Sequence, residues 1–101
     1  MNIPTILKKR NSYLHLAAAT GQTEAFNTAI NQEEDKNIKN EHDETPFLLA
    51  CKHGRLKIVE LLLKNTDLKM DFNANDNFWG CTGFHFACQQ GHFDVVKTLV
   101  E

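Results

Sequence analysis

Three glycines, Gly21, Gly54 and Gly91, punctuate three stretches that align without a gap: SYLHLAAATGQTEAFNTAI from Ser12, TPFLLACKHGRLKIVELLL from Thr45 and TGFHFACQQGHFDVVKTLV from Thr82. The offsets are 33 residues (12 to 45) and 37 residues (45 to 82), and the glycines repeat them. Self-similarity at this spacing restricts the chain to a stack of like units, because one unit of about 33 residues cannot bury its apolar face alone.

Each stretch reads as a pair of short helices. It opens with a hydroxyl residue, Ser12, Thr45 or Thr82, whose oxygen accepts from free backbone N–H groups of a helix start. Pro46 follows Thr45 at the first helical position, where a missing N–H costs nothing. About two turns later comes the glycine, suited to the left-handed conformation that ends a helix. Leu56, Val59, Leu62 and Leu63, and again Phe93, Val96, Leu99 and Val100, then form an apolar stripe at helical spacing. The small residues Ala17, Ala18, Ala50, Cys51, Ala87 and Cys88 lie on the first helices, where they let paired helices approach closely. Helices this short are unstable alone in water, so stacking is expected to supply the stability, with Leu62 buried at its centre. NIKNEHDE and NANDNFWGC are expected to be loops with a few extended residues, since Asn and Asp tolerate left-handed backbone.

Thr-Pro-apolar-His-x-Ala-Ala-x-x-Gly followed by an amphipathic helix resembles the ankyrin repeat. The resemblance covers residues 11–101 and implies an all-α solenoid of stacked helix-turn-helix units joined by β-turn or hairpin loops. Its repeats would be 11–43, 44–80 and 81–101, with residues 1–10 as an N-terminal cap or tail. Three departures stand out: Leu48 replaces the usual His, Asp43 the turn Gly, and Gly83 the usual Pro. About three of the four extra residues before Thr82 fall in Thr66–Met70, and the fourth lengthens the turn Asn77-Phe78-Trp79.

Composition removes other classes. A formal net charge of −2 and a pI near 6.2 supply no positive excess for phosphates, so neither nucleic acid nor an anionic membrane is expected as partner. Lys8-Lys9-Arg10 reads as a solvated tail. The apolar runs fall far short of the roughly 20 residues of a membrane helix, and no secretory signal opens the chain. Three cysteines, Cys51, Cys81 and Cys88, are an odd set better suited to small buried hydrophobes in a reducing, cytoplasmic setting than to a disulfide framework.

The sharpest apparent chemical site is Cys81-x3-His85-x2-Cys88-x3-His92, four zinc-type ligands in twelve residues. The repeat register gives these residues other work: His85 is expected to bond backbone and the neighbouring hydroxyl, Cys88 to be buried, and His92 to point away from His85. The acidic run Glu33-Glu34-Asp35 reads as a solvated loop. No nucleophile context or Gly-rich phosphate loop is present, so the chain reads as a non-enzyme with no cofactor.

The function implied by the resemblance is binding of another protein through turn tips and solvent-facing first-helix positions. Carried over by position, the turn surface is Lys8, Lys9 and Asn11, then Glu41, His42 and Glu44, then Phe78, Trp79 and Cys81. The first-helix surface is Ala19 and Thr20, Lys52 and His53, Gln89 and Gln90. Phe78 and Trp79 are expected at its energetic centre, since large aromatics on a polar turn are costly to leave in water and Trp is enriched at binding hot spots; the alternative left open is that the rings fold over the turn Glu41–Glu44 or cover Thr66–Met70. Two alternatives stay open: a targeting arm of a larger protein whose enzymatic or membrane domain lies elsewhere, and a self-associating stack. The helix Phe93 to Val100 keeps an internal repeat's apolar pattern, so its outer face is expected to pair with further repeats or with another copy.

Overall fold

The computed structural model describes residues 13–32, 36–65, 70–75 and 80–101. Six helices are described: α1 (Tyr13–Thr20), α2 (Thr23–Gln32), α3 (Pro46–Lys52), α4 (Leu56–Lys64), α5 (Gly83–Gln89) and α6 (Phe93–Val100). They form three antiparallel pairs. The first helices α1, α3 and α5 pack on one another in one layer, and the second helices α2, α4 and α6 in another. No strand occurs among the described residues.

Local chemistry sets where each helix begins. Thr45 Oγ1 accepts from Leu48 N at 3.2 Å, and Pro46 opens α3 directly after it. At α5, Thr82 Oγ1 accepts from His85 N, while His85 Nδ1 accepts from Thr82 N at 3.1 Å and lies 2.9 Å from the Thr82 hydroxyl. This is a capping box with His in the place usually held by Glu or Gln, and His85 bonds to backbone and hydroxyl as expected. Ser12 lies outside the described residues.

The turns close the same way three times. Gly21, Gly54 and Gly91 take φ of 77°, 69° and 74°. The residue after each returns its backbone N–H to an alanine carbonyl five positions back: Gln22 to Ala17, Arg55 to Ala50 and His92 to Ala87, at 2.8–3.0 Å. That bond satisfies a carbonyl the helix end would leave open. Asp43, at the turn glycine's position, adopts φ 60° as expected.

One apolar cluster runs through the stack, from Leu14, Ala17, Ala18, Phe26 and Ile30 through Phe47, Ala50, Cys51, Ile58, Val59 and Leu62 to Ala87 and Val95. Leu62 is fully buried, as the stripe predicted. Leu48, standing where a histidine is usual, joins Cys81 and Phe86 in a second, smaller cluster. Cys51 is buried among apolar atoms, which pushes its thiol up to about 12 and keeps it from reacting as a thiolate. Cys88 departs from expectation: it is exposed, because no helix is packed on the outer side of α5 among the described residues. Phe93 (77% exposed) and Val100 (66%) likewise face outward from α6.

The sequence reads Gly83 as a weakened helix start; the structure gives it a packing reason. A Cβ there would lie 2.8 Å from both Cys51 Sγ and Phe47 Cε2, both of them in the core. Gly83→Ala is therefore expected to destabilise the chain by about 1–3 kcal/mol through overpacking, although Ala is the better helix former by up to about 1 kcal/mol. Urea unfolding decides between the effects: a lower midpoint supports the close approach of α3 and α5, and a higher one contradicts it.

Candidate functional site

The turn between α2 and α3 is built around Asn40. Its side-chain oxygen accepts from the backbone N–H of His42 and of Glu44, both at 2.9 Å, and its amide donates to Glu44 Oε1 at 3.1 Å. Asn40 N donates to Glu44 O, and Asp43 N to Asn40 O, closing the turn from both sides. This geometry presents Glu41 and His42 to solvent.

Glu44 is not part of that exposed surface, contrary to its assignment as a turn-tip contact. It is 5% exposed, held by Asn40 and by Lys52, whose Nζ lies 3.0 Å from Glu44 Oε2. A carboxylate this buried has to be paired, and here it is. Cys81 likewise leaves the contact surface: it is 8% exposed and packs with Leu48 and Phe86. Lys52 is half-buried, its Nζ between the Glu44 carboxylate and the Phe86 ring, 5.4 Å from the ring centroid. The helix-end positions Thr20, His53, Gln89 and Gln90 are exposed, and Ala19 is half-buried. Lys8, Lys9, Asn11, Phe78 and Trp79 lie outside the described residues, as do Glu33, Glu34 and Asp35.

A contact the sequence reading missed links the helix ends of successive repeats. Arg55 Nε donates to Ala19 O at 2.9 Å, and the Arg55 side chain lies against Gly21. His92 Nε2 donates to Lys52 O at 3.0 Å, and its ring lies against Gly54 so closely that a Cβ there would sit 2.5 Å from Nδ1. Both donors follow the turn glycine of their own repeat, and both acceptors precede the previous repeat's glycine by two. The signal was in the sequence: a long donor at 55 and 92, each one residue after a glycine.

The loops are tied in the same direction. Buried His15 holds its Nε2 2.9 Å from both Ile38 O and Glu44 O, so one N–H is shared between two carbonyls of the following turn. Asp71 N donates to Asn37 Oδ1 at 2.8 Å, and Lys39 Nζ to Asn75 O at 3.4 Å. No group of three or more His, Cys, Asp and Glu side chains suited to a metal ion occurs among the described residues. No described helix is long and apolar enough to cross a membrane.

His53 sits at the centre of the exposed helix ends. Partial burial, then the positive charges of Lys52 and Arg55, hold its pKa below the usual 6.5; Glu44 opposes them and His92 adds slightly to them. The folded chain resists the proton that the unfolded chain accepts. This contribution to stability is therefore complete above about pH 6.5 and is lost as pH falls from there through the lowered folded-state value. His53→Gln is expected to lose less stability than the parent between about pH 7.5 and pH 5.5, measured by urea midpoint. Equal losses in the two chains would contradict the lowered pKa of His53.

Comparison with known proteins bears on the whole described structure. The family description "Ankyrin repeats (3 copies)" matches residues 14–101. The chain is 34% identical over 95 residues to the probable E3 ubiquitin-protein ligase XBOS32 of Oryza sativa subsp. japonica, covering 90% of this chain and 18% of that protein. It is 33% identical over 97 residues to the transient receptor potential cation channel subfamily A member 1 of Homo sapiens, covering 93% of this chain and 8% of the channel. It is 31% identical over 86 residues to ankyrin repeat protein OPG189 of Variola virus, covering 78% of this chain and 14% of that protein. The chain thus spans less than a fifth of each of these relatives. Since the family match extends from α1 to the last residue in three copies, the chain belongs to the ankyrin-repeat family.

Proposed function

We propose that this chain is a protein-interaction module and not a catalyst, meeting its partner through the α2–α3 turn tip and the exposed ends of the first helices. The surface comprises Glu41, His42, His53, Gln89 and Gln90, with Lys52 at its half-buried edge; the repeat register adds Phe78 and Trp79, which lie outside the described residues. The observation that carries this reading is a division of labour along each first helix. Residues such as Ala17, Ala50 and Ala87 are buried in the stack, while the polar ends Thr20, His53 and Gln90 stay in water at equivalent positions. A stack held by its framework leaves these ends free to vary with the partner, and repeat arrays bind along such continuous faces. A cytoplasmic setting fits the free thiols of Cys51 and Cys88.

A second reading, a targeting arm within a longer protein, is favoured by the small share of each relative that the chain matches. Those relatives' names, a ligase and a channel, describe whole proteins of which this region is a minor part.

The test is a set of surface variants. His42→Ala and the pair Gln89→Ala with Gln90→Ala are expected to shift stability by less than about 0.5 kcal/mol. They should nevertheless lose proteins that the parent captures from lysate, identified by mass spectrometry. Lys64→Ala, exposed at the far end of α4 on the second-helix layer, should keep them. Identical capture by all the variants would overturn the proposed surface.

A further inference from the structure

Among the described residues of a chain whose formal net charge is −2, positive charge gathers at the α3–α4 turn. Between Thr45 and Glu60 the chain carries Lys52, His53, Arg55 and Lys57 and no carboxylate. The fold brings this run to the middle of the turn edge: His53 and Arg55 flank Gly54, Lys57 follows in the first turn of α4, and all three side chains are exposed. Glu44 offsets Lys52 but is buried beneath it. Among the described residues neither Arg55 nor Lys57 is ion-paired.

The patch is also held in place. The Arg55 stem lies on Gly21 and its Nε is fixed to Ala19 O, so the guanidinium is positioned before any ligand arrives. Preorganisation of this kind lowers the ordering cost of binding, and the planar guanidinium fork matches a carboxylate. In the flanking repeats the position of Lys57 is occupied by Glu24 and Asp94. The cationic edge is therefore one repeat wide and bordered by acid on both sides.

We infer that this edge is the seat for an acidic segment of a partner protein, with His53, Arg55 and Lys57 receiving its carboxylates. The inference rests on the protein-binding reading above and gives the partner its chemistry. A nucleic acid fits poorly, because a phosphate backbone needs an extended basic stripe and would meet Glu24 and Asp94 within one repeat on either side. A short Asp/Glu segment matches the width of the patch. The pKa of His53 is depressed first by burial and then by the charges of Lys52 and Arg55, with Glu44 opposing and His92 adding, and a carboxylate seated here would oppose that charge contribution.

The test titrates isotope-labelled full chain with a six-residue peptide of alternating Asp and Glu, with its Asn/Gln counterpart, and with a short DNA duplex. The acidic peptide is expected to move the His53 ring and Arg55 Nε–H resonances saturably and to raise the His53 titration midpoint. Binding should weaken with salt, and the amide peptide should leave these signals still. Arg55→Gln and Lys57→Gln should each weaken the acidic peptide by roughly two- to five-fold. Lys57 is exposed and its side chain makes no hydrogen bond or ion pair among the described residues, so its variant keeps the test clear of unfolding. Unmoved His53 and Arg55 signals, equal effects of the amide peptide, tighter binding of the duplex at the same residues, or parent affinity in Lys57→Gln would each overturn the inference. The two readings fail separately. If the His42 and Gln89/Gln90 variants lose their partners while the acidic peptide leaves the patch untouched, this inference alone falls. If the peptide binds here but those variants capture as the parent does, the wider surface falls.

Discussion

The close approach of the first helices is the constraint from which the rest of this structure follows. Helices of seven or eight residues are not stable in water by themselves, so α1, α3 and α5 exist only because each lies against the next. They approach closely because the facing side chains are small: Ala18, Ala50, Cys51 and Ala87 are fully buried, and at Gly83 no side chain fits at all. The second helices then fill the space behind them with larger residues, Phe26, Ile30, Ile58, Val59, Leu62 and Val95. Small residues at the first-helix contacts, with larger ones such as Leu14 and Phe47 beside them and the second-helix residues behind, give the interlocking that a packed interior requires.

Polar contacts at the two ends of the helices hold successive units in register. At the glycine turns, Arg55 and His92 reach back over the preceding repeat to a helix-end carbonyl. At the loop end, His15 and Asn37 hold the following loop segments by their backbone groups, and Asn40 shapes the turn that seats Glu44. Each of these bonds runs between neighbours in the stack or within one turn, the expected pattern where stability is a sum of nearest-neighbour terms. Solvent is left with the helix ends and turn tips, which gives the exposed surface its regular spacing.

The repeated features were legible because they are local. Glycine at a helix end, a hydroxyl before a helix start and an apolar stripe each depend on a few adjacent residues, and α3 and α5 begin where Pro46 and Gly83 predict. Side-chain destinations across repeats were less legible. Glu44 looks like one more solvated charge in an acidic turn, and only the return of α3 brings Lys52 to it. Cys88 sits in the register of buried Cys51 yet is exposed, because burial at that position is supplied by a neighbouring repeat and not by its own. Cys81 is the reverse: it reads as a turn residue but is buried with Phe86 and with Leu48, which stands where a histidine is usual. Gly83 shows the same limit, its helix-weakening character visible in the sequence and its contact with Cys51 and Phe47 visible only in the fold.

Stacking is the source of stability in this chain, and Leu62 tests it most directly, being fully buried in the core that joins the three helix pairs. Urea unfolding of Leu62→Ala, followed by helical circular dichroism, is predicted to show a loss of about 2–5 kcal/mol. That is a large part of the ~5–15 kcal/mol typical of a folded domain, and a single cooperative transition should persist or collapse as one. An unchanged midpoint, or loss of one helix pair while the other two keep the parent's midpoint, would contradict it.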